Sequence, residues 1–171
     1  MKPISFQTDI LPLKNELFRM ALRITQNREE AEDVVQETMI KVWNRRDQWP
    51  QLDSIEAFCL TICRNLSLDK LRRMDNQAQS LGDDIDLTDL SHSSNPEQMT
   101  IQRDRSRMVR QLINELPERQ RTCMQLRDIE GKSYRDIAQI LDITEQQVKI
   151  NIFRARQAVK ERYLMIEKVR K

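Results

Sequence analysis

Gly131 to Tyr163 reads GKSYRDIAQILDITEQQVKINIFRARQAVKERY, and its punctuation predicts two helices joined by a tight turn. Ser133 with Asp136, and Thr144 with Gln147, each place a hydroxyl three residues before a side chain that belongs in a first helical turn. Ile137, Ala138, Ile140 and Leu141 supply a short apolar face between them, and Asp142-Ile143 makes a connection of helix-turn-helix length. At about 100° per residue the second helix gathers Val148, Ile152, Ala155 and Val159 into one narrow stripe. Lys149, Phe153, Arg156 and Lys160 fall on an outer flank that Ile150, Arg154 and Gln157 extend. Lys and Arg neutralise phosphates, and outward Ile150 and Phe153 suit thymine methyl groups, so this face is that of a DNA reader.

The composition of the 171 residues excludes much else. Two glycines and one histidine leave no Gly-rich phosphate cradle and no His-based zinc or general-base site, so no catalytic residue, metal ligand or cofactor is expected. The formal charge of +2 conceals a polarised chain, because residues 1–73, 74–99 and 100–171 carry +1, −6 and +7. No apolar run has the length of a membrane span, and MKPISFQTDILPLKNE lacks the basic start and apolar core of a secretion signal. A cytoplasmic protein is expected. The three cysteines form no disulfide framework; Cys59 and Cys63, four apart, share a helix face and are expected as small packing residues.

Asp75 to Gln98, DNQAQSLGDDIDLTDLSHSSNPEQ, has no sustained helical period and predicts a flexible acidic linker. Leu81, Ile85, Leu87 and Leu90 are its few apolar residues, and His92 has no neighbour in sequence with which to form a site. Asp83, Asp84 and Asp86 lie close together, the only hint of a metal-dependent nuclease, but on a loop.

Ahead of the linker the chain predicts helices throughout, with no glycine before residue 82 and prolines only at Pro3, Pro12 and Pro50. A first helix uses Leu13, Leu17, Ala21 and Ile24. A second starts at Asn27 with Glu30 as capping partner and buries Ala31, Val34, Val35, Thr38 and Val42. Its opposite face sets Asp33, Gln36 and Glu37 around an outward Ile40, with Trp43 at the margin, the pattern of a protein-binding surface. A third starts near Asp53 or Ser54, buries Phe58, Ile62 and Leu66, and presents Arg64, Asn65, Lys70, Arg72 and Arg73 to nucleic acid. The fold class is all-α: helical domains at 1–73 and 100–171 joined by the linker at 74–99.

NREEAEDVVQETMIKVW, then AFCLTICRNLSLDKLRR, then the acidic strip, then LPERQRTCMQLRDIEGKSYRDIAQILDITEQQVKINIFRARQ resembles a group IV, or extracytoplasmic-function, sigma factor of the sigma-70 family. Two motif sets in the family's order and separation cover nearly all of the chain. The resemblance implies a specificity subunit that directs bacterial RNA polymerase core to promoters. Asp33, Gln36, Glu37, Ile40 and Trp43 would meet the clamp helices of the largest subunit, with a further contact to the flap. Arg64, Asn65, Lys70, Arg72 and Arg73 would open and hold the minus-10 element, Asn65 on an extruded base. Lys149, Ile150, Asn151, Phe153, Arg154 and Arg156 would engage the minus-35 element. The resemblance further implies that the linker threads toward the RNA exit path and that an anti-sigma factor restrains the chain. The chain departs from the family at Phe58, where Trp is usual, at Asp142, where Gly is common, and at Ile150-Asn151, which replace a small polar and basic pair. A helix-turn-helix regulator that never joins polymerase is the rival reading, and it leaves the Asp33, Gln36, Glu37 and Ile40 face without a purpose.

Overall fold

The computed structural model describes residues 2–81 and 100–170, with side chains described over 2–77 and 101–170. The strip from residue 82 to 99, with Ile85, Leu87, Leu90, His92 and the aspartates at 83, 84 and 86, lies outside the described residues, as does the side chain of Leu81. Every regular element among the described residues is helical. Three long helices build the front half: α1 (Lys14–Thr25), α2 (Arg28–Asn44) and α3 (Ile55–Leu81), so that α3 runs past the expected boundary at 73. The rear half holds α4 (Thr100–Asn114), α5 (Glu118–Met124), α6 (Tyr134–Leu141) and α7 (Glu145–Arg170).

Helix starts follow the sequence signals. The Asn27 side chain accepts from the Glu30 N–H at 3.0 Å, and the Ser54 hydroxyl accepts from the Ala57 N–H at 3.1 Å. Such caps satisfy donors that the helix itself leaves open and contribute about 1 kcal/mol each. Leu17, Ala21 and Ile24 of α1 are sealed from solvent, as are Ala31, Val34, Thr38 and Val42 of α2, and Val35 is nearly so. Trp49 closes the bottom of this bundle, its indole N–H donating to the Val42 carbonyl at 3.1 Å.

The helix α3 is buried on more of its circumference than its apolar residues predict, because it packs on α1 and α2 on one side and on α6 on the other. Phe58, expected in the core, is only half-buried, whereas Ala57, Cys59, Leu60 and Cys63 are sealed. Ala57, Leu60 and Arg64 follow helical spacing and line the side that meets the rear half, where Ala57 and Leu60 approach Ile140 and Lys132. One apolar core therefore runs from Leu17 and Val34 through Leu60 to Leu126, Ile137 and Ile152, and a second joins Met108, Leu112 and Leu116 to Ala155 and Val159.

Polar contacts frame this joint. Arg19 forks onto Glu130 at 2.6 and 2.9 Å, Arg64 meets Glu118 at 3.2 Å, and Lys132 pairs with both Glu16 and Glu56. Arg23 has no carboxylate there: it donates to the side-chain oxygens of Gln125 and Asn114 at 2.8 and 2.9 Å. Burial, reinforced by the nearby charges of Arg110 and Arg121, pushes its pKa down to about 10. Closing the two halves thus desolvates a cation without neutralising it, an opposing term inside a mostly favourable contact.

Candidate polymerase and promoter interfaces

The helix-turn-helix is built as its punctuation predicts. The Ser133 hydroxyl accepts from the Asp136 N–H at 3.1 Å, and Thr144 and Gln147 form a reciprocal capping box, each backbone N–H donating to the other's side-chain oxygen at 2.9 and 3.0 Å. Gly131, at φ +72°, turns the chain into α6. Asp142 ends α6 in the left-handed region at φ 55°, ψ 50°, a conformation that Asp adopts more readily than most residues, so the departure from Gly leaves the turn intact. Val148, Ile152, Ala155 and Val159 are the buried stripe of α7, and burying Val148 and Ile152 completely is worth about 1.5–3 kcal/mol each.

The outer face of α7 carries a mixed basic and apolar surface. Ile150 is 40% and Phe153 65% exposed, between exposed Lys149 and Arg154. Arg154 makes no ion pair among the described residues. Asn151 is half-buried and donates its amide to the Gln147 carbonyl at 2.8 Å, one turn back along its own helix. Lys149 lies 5.5 Å from the centre of the Tyr134 ring, which also carries Arg127 at 4.3 Å. Arg156 is forked onto Asp128, and that hydrogen bond pushes its guanidinium pKa upward.

The end of α3 is divided by the packing. Asn65, Arg72 and Arg73 are exposed, Arg72 pairing with Asp69 at 2.6 Å, and Lys70 reaches across to Glu30 of α2 at 3.4 Å. Arg64, grouped with them by sequence, points the other way: it is 8% exposed and held by Glu118 of α5. The reason is helical phase, since Arg64 continues the Ala57-Leu60 stripe while Asn65 and Arg72, seven apart, share the outer side.

On α2, Ile40 is 59% and Trp43 47% exposed. Trp43 is held edge-on by Phe6 at 5.7 Å and Trp49 at 6.1 Å, with Arg46 over its ring at 4.7 Å. Asp33 and Gln36 are exposed and Glu37 half-buried, and none of the three makes a hydrogen bond or ion pair among the described residues. Glu32 and Glu30, on the same helix, are paired with Arg28 and Lys70. The sequence gives no warning of Phe6 as a support for Trp43, because the two are far apart in the chain and meet only through the fold.

No group of acidic, cysteine or histidine side chains among the described residues is arranged to hold a metal. Cys59, Cys63 and Cys123 are free and buried, and desolvation pushes each thiol up to about 12, which keeps them protonated and inert at neutral pH. Among the described residues no helix is long and apolar enough to cross a membrane.

The Sigma-70 region 2 family model matches residues 10–77, and that of Sigma-70 region 4 matches residues 106–159. The extracytoplasmic-function RNA polymerase sigma-E factor of Haemophilus influenzae is 31% identical over 144 residues, 80% of this chain and 76% of that one. The chain belongs to the extracytoplasmic-function sigma factors of the sigma-70 family. Its fold is shared with the sigma factor RpoE of Bartonella quintana, solved in complex with the anti-sigma factor NepR, at a TM-score of 0.74, 24% identity and coverage of 91% of this chain and 94% of that chain. CnrH, solved with the cytosolic domain of CnrY, gives 0.66, 20%, 91% and 85%. As a sigma factor the protein serves transcription initiation, directing RNA polymerase core to promoter DNA through regions 2 and 4.

Proposed function

We propose that this sigma factor engages polymerase, the minus-10 element and the minus-35 element through three separate faces, and performs no catalysis of its own. The observation that carries the reading is the outward side of α7, where Ile150 and Phe153 stand exposed among Lys149, Arg154 and Arg156 just after a reciprocal capping box. An apolar residue on a solvated basic helix is unfavourable in water and suited to thymine methyl groups in a major groove. Asp33, Gln36, Glu37, Ile40 and Trp43 form the clamp-helix face, and Asn65, Lys70, Arg72 and Arg73 hold the opened strand. Run-off transcription from genomic fragments, with and without added core polymerase, tests the whole assignment.

Arg64 joins the minus-10 group only when region 4 leaves α3, because Glu118 holds it in the closed form. Arg23, buried at the joint with only the neutral oxygens of Gln125 and Asn114 as partners, is a cost of the closed form that separation relieves. Both structural neighbours were solved with a bound protein partner, one of them named an anti-sigma factor. An anti-sigma factor that stabilises the closed form would keep Arg64 from DNA and restrain this protein in the cytoplasm.

Ile150 and Asn151 are assigned to minus-35 sequence choice. Replacing them with Ser and Arg, the family's usual pair, is expected to shift competition between promoter variants by roughly tenfold or more, since a good base contact discriminates by about 1–3 kcal/mol. A double variant that scales every promoter by one common factor would leave Lys149, Phe153 and Arg154 as the readers. Asn65→Ala is expected to spare polymerase binding and to abolish permanganate reactivity of promoter thymines; unchanged reactivity would assign the extruded base to another side chain.

A further inference from the structure

Residues Gln125–Ile129 form a π-helical turn between α5 and α6, closed by the Glu130 N–H donating to the Gln125 carbonyl at 3.0 Å. The turn sets the polar Gln125, Arg127 and Asp128 around a buried Leu126, with Ile129 half exposed, and those three polar side chains each hold a neighbouring residue. Gln125 and Glu130 at its two ends hold Arg23 and Arg19 of α1. Arg127 lies on the Tyr134 ring and donates to the Lys132 carbonyl at 2.8 Å. Asp128 receives Arg156 of α7 on both carboxylate oxygens, Nε approaching Oδ2 at 3.0 Å and Nη2 approaching Oδ1.

The pairing of Asp128 with Arg156 is unexpected for a DNA-binding face. A carboxylate beside a phosphate-binding cation repels the same phosphates and lowers affinity unless it does something else. The geometry says what that is. A guanidinium has five N–H donors in one rigid plane, and the fork onto Asp128 uses the Nε–H and one Nη2–H. The remaining edge, two hydrogens on Nη1 and one on Nη2, stays free and is now fixed in direction. Arg156 is 51% exposed at its side chain and Asp128 29%, so that the pair sits at the surface with its free edge accessible.

We propose that Asp128 is a positioning residue for promoter binding: it locks the Arg156 guanidinium so that its unused N–H edge meets a minus-35 phosphate without further ordering. This rests on the placing of Arg156 in the minus-35 face given above, with a phosphate as its contact, as is usual for an arginine on such a face. An unrestrained arginine loses rotamer freedom when it binds, and one already held by a bidentate partner has lost it beforehand. The gain from this pre-ordering opposes the repulsion that the carboxylate adds. The Tyr134 ring serves the neighbouring cation in a similar way, holding Lys149 two helical turns earlier on the same flank.

The two effects of Asp128 have opposite signs, which makes the proposal decidable. Full-length sigma factor carrying Asp128→Asn, Arg156→Ala, both changes or Arg156→Lys is assembled with core polymerase. Binding to a promoter duplex that the wild-type holoenzyme transcribes, and to an unrelated duplex of equal length, is measured across a salt series. Asp128→Asn is expected to weaken promoter binding several-fold, despite removing a negative charge, and to reduce the slope of log affinity against log salt by about one, the signature of one lost phosphate contact. Arg156→Ala is expected to do the same, and the double variant no more than either.

Arg156→Lys keeps the charge and the fold at an exposed site but lacks the fork, so it is expected to fall with Asp128→Asn. Promoter binding that is equal or tighter in Asp128→Asn, together with a loss in Arg156→Ala, overturns the positioning role while leaving the phosphate contact standing. Full retention by Arg156→Lys also overturns it. No change in Arg156→Ala overturns the underlying assignment of Arg156 and the proposal with it.

Discussion

Arg121→Ala is expected to destabilise the protein by about 3–5 kcal/mol, because buried carbonyls that lose a donor cost about 1–3 kcal/mol each and a packed side chain is lost with it. Arg121 is 6% exposed at the joint between the two halves. Its Nη1 donates to the carbonyls of Asn114 at 2.9 Å and Leu116 at 3.2 Å, at and just past the end of α4, and its Nη2 donates to the carbonyl of Ile24, in the last turn of α1, at 3.1 Å. Carbonyls at a helix C-terminus have no partner within the helix and carry partial negative charge, so one cation closes two helix ends from different halves of the chain. Burial pushes the Arg121 pKa down, and Glu118 and Asp75 oppose that shift. Alanine takes this donor from the carbonyls of Leu116 and Ile24, leaves that of Asn114 only the Gln26 amide at 2.7 Å, and opens a cavity the length of the side chain. Urea denaturation measures the loss, and a thermal midpoint lower by roughly 6–20 °C should accompany it at about 2–4 °C per kcal/mol. Arg121→Lys, with one compact ammonium in place of a planar fork, should fall between. A variant within about 0.5 kcal/mol of wild type would mean that water reaches these carbonyls and that the joint is not dry.

The joint is also what the sequence does not disclose. The buried stripes of α2 and α7 are legible because each is encoded inside one helix: Val34, Val35 and Thr38, or Val148, Ile152 and Ala155, recur at helical spacing, and Asn27, Ser133 and Thr144 mark the starts through hydrogen bonds spanning three residues. The exposure of Ile40, Ile150 and Phe153 follows from the same wheels. Packing of α6 on α3 has no such local signal. Arg64 reads as a DNA-facing cation because a charged residue near a helix end is exposed by default, and only the approach of Glu118, 54 positions later, makes it an interface residue. Leu60 and Cys63, apolar residues off the Phe58-Ile62 line, are the one hint that α3 is covered on a second side. The fork of Arg19 onto Glu130 spans 111 positions, and nothing in QLRDI distinguishes a π-helical turn from an ordinary helical one.

The outward side of α2, by contrast, is exposed at Asp33, Gln36, Ile40 and Trp43 as the wheel predicts, and the test of its proposed contact with the clamp helices is expected to have the other large effect. Glu37→Lys should weaken binding to core polymerase roughly 100-fold, since placing a charge of the wrong sign in a complementary interface costs several kcal/mol. Asp33 and Glu37, with Glu29 a turn earlier, are carboxylates of α2 that no arginine or lysine among the described residues neutralises, whereas Glu30 and Glu32 are paired within the chain. Unpaired acids beside exposed Ile40 and a Trp43 fixed by Phe6, Trp49 and Arg46 form an apolar anchor with a negative rim, which selects a partner with a groove edged by cations. Because Glu37 makes no internal ion pair among the described residues, its replacement should leave the denaturation midpoint unchanged, which separates lost binding from lost folding. Asn65→Ala, on the face proposed to hold the opened strand, serves as the control that is expected still to bind. Glu37→Gln should lose less than Glu37→Lys and should flatten the salt dependence of polymerase association, as expected when an attractive charge is removed without a repulsive one being added. Equal polymerase affinity for wild type and Glu37→Lys would remove Glu37 from the interface. Loss in Ile40→Asp with no loss in Glu37→Lys would instead confine the contact to the apolar anchor.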